Sequence, residues 1–259
     1  MPATDDLVLL VEAAREAGAV LRGYFERGSM AWEKPDSAGP VTEADIAANE
    51  VLHERLTGAR PGYGWLSEEG PDDPRRGDAS RTFLVDPLDG TRAFIEGDHS
   101  WSVSLAVIDQ GETRAGVVYL PMRDRLYAAA RGQGATLNGA PLAVQPRTAL
   151  DGASVLSSRT NLKPWHWREA RVPDVRRRFR SSLAYRLSLI AEGRYDAMFR
   201  LRPAHEWDVA AGSLLVEEAG GRITDRAGAP LRFNQPDPLF NGVIAAAPAL
   251  HRDILSRLV

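Results

Sequence analysis

The sequence predicts a mixed α+β and α/β fold in which two layered halves share one cleft. Residues 101–108 alternate bulky and small side chains up to a turn at Gln110-Gly111, residues 115–120 and 126–130 read as further strands on either side of Pro121, and Arg131-Gly132-Gln133-Gly134 is a closing turn. That pattern reads as an antiparallel meander. Residues 153–258 instead alternate short apolar strands with helix-period segments, the pattern of an α/β layer. With 259 residues, 44% hydrophobic and 26% charged, the chain has apolar mass for one large domain or two intimately packed halves.

Composition removes several classes of function. A net charge of -3 gives no reason to expect a nucleic-acid polymer as partner. The basic run Arg176-Arg177-Arg178 reads as a solvated face. The absence of cysteine excludes disulfides, thiolate metal sites and a cysteinyl-phosphate intermediate. The start of the chain is acidic and lacks a signal-peptide pattern, and no integral membrane segment is expected. The expected location is the cytoplasm.

Residues 5–25 carry Leu7, Leu10, Val11, Ala14, Ala17, Leu21 and Phe25 at three- and four-residue spacing, an amphipathic helix with Asp5 and Asp6 at its positive end. Gly28 and residues 35–40 mark a loop. A second helix opens at Thr42 and runs to about Leu56, with Asp45 three residues after the cap as in a capping box. Asp45 serves capping alone or also faces a site. Lys34 reads as solvated or as within reach of an anion. Residues 64–67 form a short strand that ends in Glu68-Glu69, and residues 82–85 form a buried strand that ends in Asp86. Adjacent strands with acids at the same end would bring Glu68 and Asp86 together, a common way to assemble a Mg²⁺ site. Asn138-Gly139 is a hairpin signal. The boundary between halves falls near residues 140–152, giving an N-terminal half of 1–145 with most of the acids and a C-terminal half of 146–259.

The second half reads as a strand at 153–156, short helix or loop at 165–170 and a helix at 182–192. A strand at 195–201, a helix at 207–219, strands at 222–224 and 243–247 and a closing helix at 249–258 follow. Ala210, Ala211 and Gly212 would let the 207–219 helix approach a neighbour closely.

The chain is organised around Asp86-Pro87-Leu88-Asp89-Gly90-Thr91. Pro87 cannot donate to a sheet ladder, so the strand is expected to end here. Gly90 permits close backbone approach to a ligand. A short helix opening at Thr91 would turn free N–H groups toward the carboxylates. Acids for a hard cation beside donors for an anion suggest a metal-plus-phosphate site, although the six residues alone also suit an Asp-Pro turn. Asp208, in the first turn of a helix, reads either as a dipole-favoured acid or as a ligand.

Taken together, Leu66-Ser67-Glu68-Glu69, the hexapeptide at Asp86, and Trp207-Asp208-Val209-Ala210-Ala211-Gly212 followed by Glu218-Ala219-Gly220-Gly221 resemble the signatures of the inositol monophosphatase family. The resemblance implies a layered α-β-α-β-α sandwich and a Mg²⁺-dependent, Li⁺-sensitive phosphomonoesterase that uses metal-activated water. It implies that Glu68, Asp86 and the Leu88 carbonyl hold the activating metal and that Asp86, Asp89 and Asp208 hold a second. A third, weaker ion is implied near Glu68, making two to three Mg²⁺ ions per site. Gly90 and Thr91 would bind phosphate, and Thr91 with Asp45 would polarise water, with Glu68 in the catalytic set.

The substrate is expected to be a small phosphorylated metabolite. The middle and C-terminal segments look most like bacterial 3′(2′),5′-bisphosphate nucleotidases, which release the 3′-phosphate of adenosine 3′,5′-bisphosphate. On that likeness Ser181 and Ser182 would contact the ribose or the second phosphate. Glu206, two residues before Asp208, reads either as a partner of a sugar hydroxyl or as a satisfied rim carboxylate. Arg180, Arg186, Arg200 and Arg202 would face the 5′-phosphate. Trp165 and Trp167 stack on a purine or form a hydrophobic lid. Inositol-1-monophosphatase is the alternative, histidinol phosphatase a less favoured one, and a non-catalytic binding protein the alternative of another class. The resemblance also implies a homodimer.

Overall fold

In a computed structural model, residues 2–34 and 39–259 are described. Most of the loop expected at residues 35–40 lies outside the described residues. The chain opens with α1 (Pro2–Arg27), the hairpin β1 (Ala31–Glu33) and β2 (Pro40–Thr42), and α2 (Glu43–Ala59). Then come β3 (Gly64–Ser67), β4 (Thr82–Asp89), the short helix α3 (Thr91–Ile95), β5 (Ser102–Asp109), β6 (Glu112–Leu120), β7 (Arg125–Ala130), β8 (Ala135–Leu137) and β9 (Ala140–Pro141). The second half holds β10 (Ser154–Leu156), β11 (Arg176–Arg178), α4 (Leu183–Ala191), β12 (Ala197–Arg200), β13 (Ala204–His205) and α5 (Glu206–Glu218). It ends with β14 (Arg222–Thr224), β15 (Leu239–Phe240), β16 (Val243–Ala246) and α6 (Pro248–Arg257).

Strands β3 to β9 form one seven-stranded sheet in chain order, and β11-β10-β12-β16-β14 form a second sheet of five. The expected meander is present as β5, β6 and β7, paired antiparallel. Side-chain alternation sets the layers. On β4, Phe83 and Val85 pack with Leu10, Leu21, Leu52 and Leu56 of α1 and α2. Leu84 points the other way, into a core shared with α4, α5 and Met198 of β12. Phe199 and Ile244 leave the opposite face of the second sheet and meet Leu250 and Ile254 of α6. The layers therefore run α-β-α-β-α.

Close packing at the centre depends on the small residues of α5. A Cβ on Gly212 would lie 2.6 Å from Leu187 Cβ of α4, and one on Gly116 would lie 3.0 Å from Ala211 Cα. One strand expectation needs correction, and one solvated run is also a strand. β4 does not end at Asp86 but continues through Pro87 to Asp89. Pairing with β5 is interrupted between Asp86 and Asp89, so the missing N–H of Pro87 costs no ladder bond. The run Arg176-Arg177-Arg178 is an edge strand, β11, parallel to β10, with its outer side in solvent.

Candidate active site

Three elements bring acids to one cleft. β3 and β4 are parallel, with Ser67 opposite Val85, so the chain leaves both strands at the same sheet edge, at Glu68 and Asp86. α5 approaches from the second layer with Asp208 in its first turn. One oxygen each from Glu68, Asp86 and Asp208 falls within 4.8 Å of the others. Asp86 Oδ1 accepts the Leu88 N–H at 3.0 Å. Asp86 Oδ2 is buried and has no hydrogen-bond partner. Burial, followed by repulsion from Glu68, Asp89 and Asp208, pushes the Asp86 carboxyl well above the ordinary carboxylate range. Burial with Asp89 and Glu68 does the same to Asp208. A cluster of under-bonded, like-charged oxygens is costly unless a cation shares them.

Asp89 is in the same cleft but is bound differently. Its Oδ2 accepts from Ser182 Oγ at 2.7 Å and Ala184 N at 2.6 Å, and its Oδ1 accepts from Leu183 N at 3.1 Å. It thus ties β4 to the N-terminus of α4, where free N–H groups favour an anion. Burial still outweighs these bonds and leaves its pKa raised.

The Asp45 corner is a completed capping box. Thr42 N and Thr42 Oγ1 both donate to Asp45 Oδ2, at 2.8 and 2.6 Å. Thr91 Oγ1 lies 3.2 Å from Asp45 Oδ1 and 3.3 Å from the Leu88 carbonyl. Burial raises the Asp45 carboxyl to about 6 against the Thr42 bonds. Gly90 caps α3 at φ 102°, a left-handed conformation that side chains resist. α3 then opens at Thr91, two residues after Asp89.

The cleft measures about 360 Å³ and its lining combines Glu68, Asp86, Leu88, Asp89, Gly90, Thr91 and Asp208 with Arg92, Phe179, Ser181, Arg186, Arg200 and Arg202. Arg186 is only 4% exposed, donates to the carbonyls of Ser181 and Ser182, and stacks over Phe179 with 4.9 Å to the ring centroid. Burial lowers its pKa to about 10 although Asp89 opposes this. A larger cavity of about 990 Å³, lined by Tyr63, Arg81, Arg232 and Gln235, holds no acid cluster of this kind among the described residues. The smaller cleft is the chemical one.

The structure decides several open readings here. Glu206 is the satisfied carboxylate of the two alternatives, in the core rather than at a rim, and does not face the cleft. It is fully buried, and its two oxygens accept the backbone N–H groups of Asn234 and Gln235. Helical geometry explains this, because residues two apart point about 200° apart, so Glu206 and Asp208 cannot share a face. Ser182 is also fully buried: it caps α4 through Tyr185 N and bridges Asp89 to Ser102 Oγ. Of the two serines only Ser181 lines the cleft. Arg180 is absent from the lining, and its guanidinium returns to the Phe179 carbonyl. Trp167 is core beneath the second sheet, and Trp165 is exposed away from the cleft. Lys34 is not solvated but pairs with Glu68 at 2.8 Å and Glu69 at 2.6 Å. Sequence reasoning missed Glu69 as the second partner of Lys34; its place beside Glu68, after a strand ending at the cleft, was the available signal. His205, without an assigned catalytic role, stacks on Trp207 at 4.5 Å between ring centroids.

The donor set suits a hard divalent cation. It is all oxygen, contains neither thiolate nor imidazole, and includes the unpartnered Asp86 Oδ2.

Comparison with known proteins agrees with this geometry. The model of the inositol monophosphatase family matches residues 4–259. The inositol-1-monophosphatase of Caulobacter vibrioides is 36% identical, with 96% of this chain and 99% of that protein covered. The Nus factor SuhB of Pasteurella multocida is 32% identical over 97% and 95%. Among solved structures, the extragenic suppressor protein SuhB of Bartonella henselae superposes with a TM-score of 0.83 at 30% identity, covering 97% of each chain. A Thermotoga maritima IMPase gives a TM-score of 0.83 at 26% identity, over 97% and 96%.

Proposed function

The chain belongs to the inositol monophosphatase family of phosphomonoesterases, and from that premise we propose that this cleft hydrolyses a small bisphosphorylated metabolite with Mg²⁺. The observation that carries the reading is the convergence of Glu68, Asp86 and Asp208 around an unpartnered Asp86 oxygen. Glu68, Asp86, Asp208 and the Leu88 carbonyl would hold Mg²⁺, with the remaining lone pair of Asp89 Oδ1 beside them. When bound there, Mg²⁺ supplies an activated water and neutralises phosphate charge.

The chain's own groups do the rest. Gly90 and Thr91 present the amides of α3 to the phosphate oxygens. Thr91 Oγ1, shared between Asp45 and the Leu88 carbonyl, orients the attacking water, and Asp45 draws the proton through Thr91. The arginines of the cleft would set substrate preference. Arg186, Arg200 and Arg202 line the same cleft as the acids, and guanidinium groups there favour a second phosphate. This supports a 3′(2′),5′-bisphosphate nucleotide such as adenosine 3′,5′-bisphosphate, with Ser181 near the sugar.

A second reading, inositol 1-phosphate, is favoured by the relatives named inositol-1-monophosphatase at 36% identity. Phosphate release from the two substrates decides between them. We expect a higher kcat/KM for the bisphosphate, and a tenfold preference for inositol 1-phosphate would sink the first reading. No helix among the described residues is long and apolar enough to cross a membrane, and a cytoplasmic setting fits a small-metabolite phosphatase.

A further inference from the structure

Resting on the bisphosphate reading above, we infer that Arg186 is the fixed centre of an anion site that keeps the product in the cleft after hydrolysis, so that the product monophosphate restrains turnover. Two arginines are buried among the described residues, Arg76 at 5% exposed and Arg186 at 4%. Arg76 has its counter-ion, with Asp72 Oδ1 2.6 Å from its Nε. Arg186 forms no ion pair among the described residues. Its hydrogen bonds end on main-chain carbonyls, from Nε to Ser182 at 3.2 Å and from Nη2 to Ser181 at 3.1 Å. Asp89 and Asp208 act on it only through space.

A desolvated guanidinium without a counter-ion is costly, and that cost is relieved when an anion arrives. Guanidinium carries five N–H donors in a fork that matches phosphate oxygens, and the two carbonyls leave part of that fork for a ligand. Phe179 covers one face of Arg186, with 4.9 Å to its ring centroid, so the side chain is held between backbone and an aromatic ring. Arg200 and Arg202 line the same cleft. Arg200 Nε donates to the Pro203 carbonyl at 2.8 Å, and neither Arg200 nor Arg202 pairs with an acid among the described residues. Burial is the main cause of the lowered Arg200 pKa; Asp208 opposes it and Arg202 adds repulsion. Arg200 and Arg202 also repel Arg186. Three guanidiniums near enough to repel one another, without acid partners, make a positive site suited to an anion.

The consequence follows from the bond that breaks. Hydrolysis cleaves the reacting phosphate from its ester oxygen; water gives its hydroxyl to that phosphorus and a proton to the departing oxygen. No bond to the second phosphate changes, so its contacts with the arginines survive the reaction. Once inorganic phosphate has left, the product still carries the group that Arg186 holds. Substrate and product therefore compete for one site. With adenosine 3′,5′-bisphosphate as substrate, the retained product is adenosine 5′-monophosphate. Inositol 1-phosphate would yield a product without this phosphate, and no such restraint.

Calorimetry tests this without turnover. Binding of adenosine 5′-monophosphate and of adenosine is measured in Mg²⁺ buffer for the full-length protein, Arg186→Met, Arg186→Lys and Arg202→Ala. The monophosphate should bind about tenfold tighter than adenosine, and Arg186→Met should weaken it roughly tenfold to a hundredfold, with Arg186→Lys between. Arg202→Ala should weaken it several-fold, and adenosine should bind all four alike. In steady-state assays the monophosphate should inhibit competitively against the bisphosphate. Equal affinity for monophosphate and adenosine in the unaltered protein would overturn the inference, as would a folded Arg186→Met, checked by circular dichroism, with unchanged affinity. Should Arg186→Met not fold, Arg202→Ala, at an exposed position, decides in the same way. Arginine-dependent monophosphate binding without phosphate release from the bisphosphate would remove the bisphosphate reading and leave the anion site standing. Normal release with arginine-independent binding would do the reverse.

Discussion

Glu206 and Asp208 sit two residues apart at the start of α5 and serve opposite regions of the molecule. Glu206 faces the 234–235 loop, and both of its oxygens are met by backbone N–H groups. Asp208 faces the cleft, where one of its oxygens lies within 4.8 Å of oxygens of Glu68 and Asp86 and where Asp86 Oδ2 has no hydrogen-bond partner. Both acids are raised in pKa with burial as the main cause, Glu206 to about 7. Burial alone therefore does not distinguish a staple from a site. Hydrogen-bond satisfaction does: a buried acid with its partners in place holds a loop, and a buried acid without them awaits a ligand.

The contrast predicts opposite outcomes for charge removal on the two sides. Asp86→Asn removes a ligand charge worth several kcal/mol in the transition state, so kcat/KM should fall by about a thousandfold. The same change should raise the melting temperature of the metal-free protein by relieving like-charge repulsion. Steady-state kinetics and a melt without Mg²⁺ check both halves, and a near-normal rate would reassign Asp86 to structure.

Next in size is the response to metal. At a hundred times its Kd, Mg²⁺ should add about 2.7 kcal/mol, roughly 5–10 °C in melting temperature for a chain of this length. A melting curve indifferent to Mg²⁺ would count against the under-bonded cluster as a cation site.

Glu206→Gln should cost about 1–3 kcal/mol in denaturant unfolding, since a backbone donor loses its charged partner. Its kcat/KM should change little. Loss of activity with intact stability would put Glu206 back in the cleft.

The smallest effect is on pH dependence. The raised carboxyls of Asp45, from 3.8 to about 6, and Glu206, from 4.5 to about 7, mean that the folded protein binds protons the unfolded chain has released. Stability of the metal-free protein should therefore fall as pH rises from about 4 to 7. His251, lowered from 6.5 to about 4 by burial, acts in the opposite sense and costs stability as pH falls through the same window. A pH series of melting temperatures for His251→Gln, which removes the opposing group, should show the acid-driven slope more steeply.

Much of the fold could be read from the sequence because its signals are local. The capping box at Thr42 and Asp45 spans four residues and formed as expected. The meander and its turns followed side-chain alternation, which is a two-residue rule. The parallel pairing of β3 with β4 placed Glu68 near Asp86 as their strand ends suggested. By contrast, the β1–β2 hairpin and the edge strand β11 are three-residue strands, too short to carry a periodic signal.

The sequence by itself determined the inventory: which acids stand at strand ends and helix starts, the small residues that let α5 pack closely, and the chemistry that oxygen ligands without cysteine allow. Tertiary structure decided the assignments. Ser182 became a bridge from Asp89 to Ser102, Glu206 a staple and Lys34 a counter-ion, because each choice depends on partners tens of residues away in the chain. Propensity and capping act within a few residues of backbone. Desolvation and pairing of charge act through space, and only the packed layers define which charges meet.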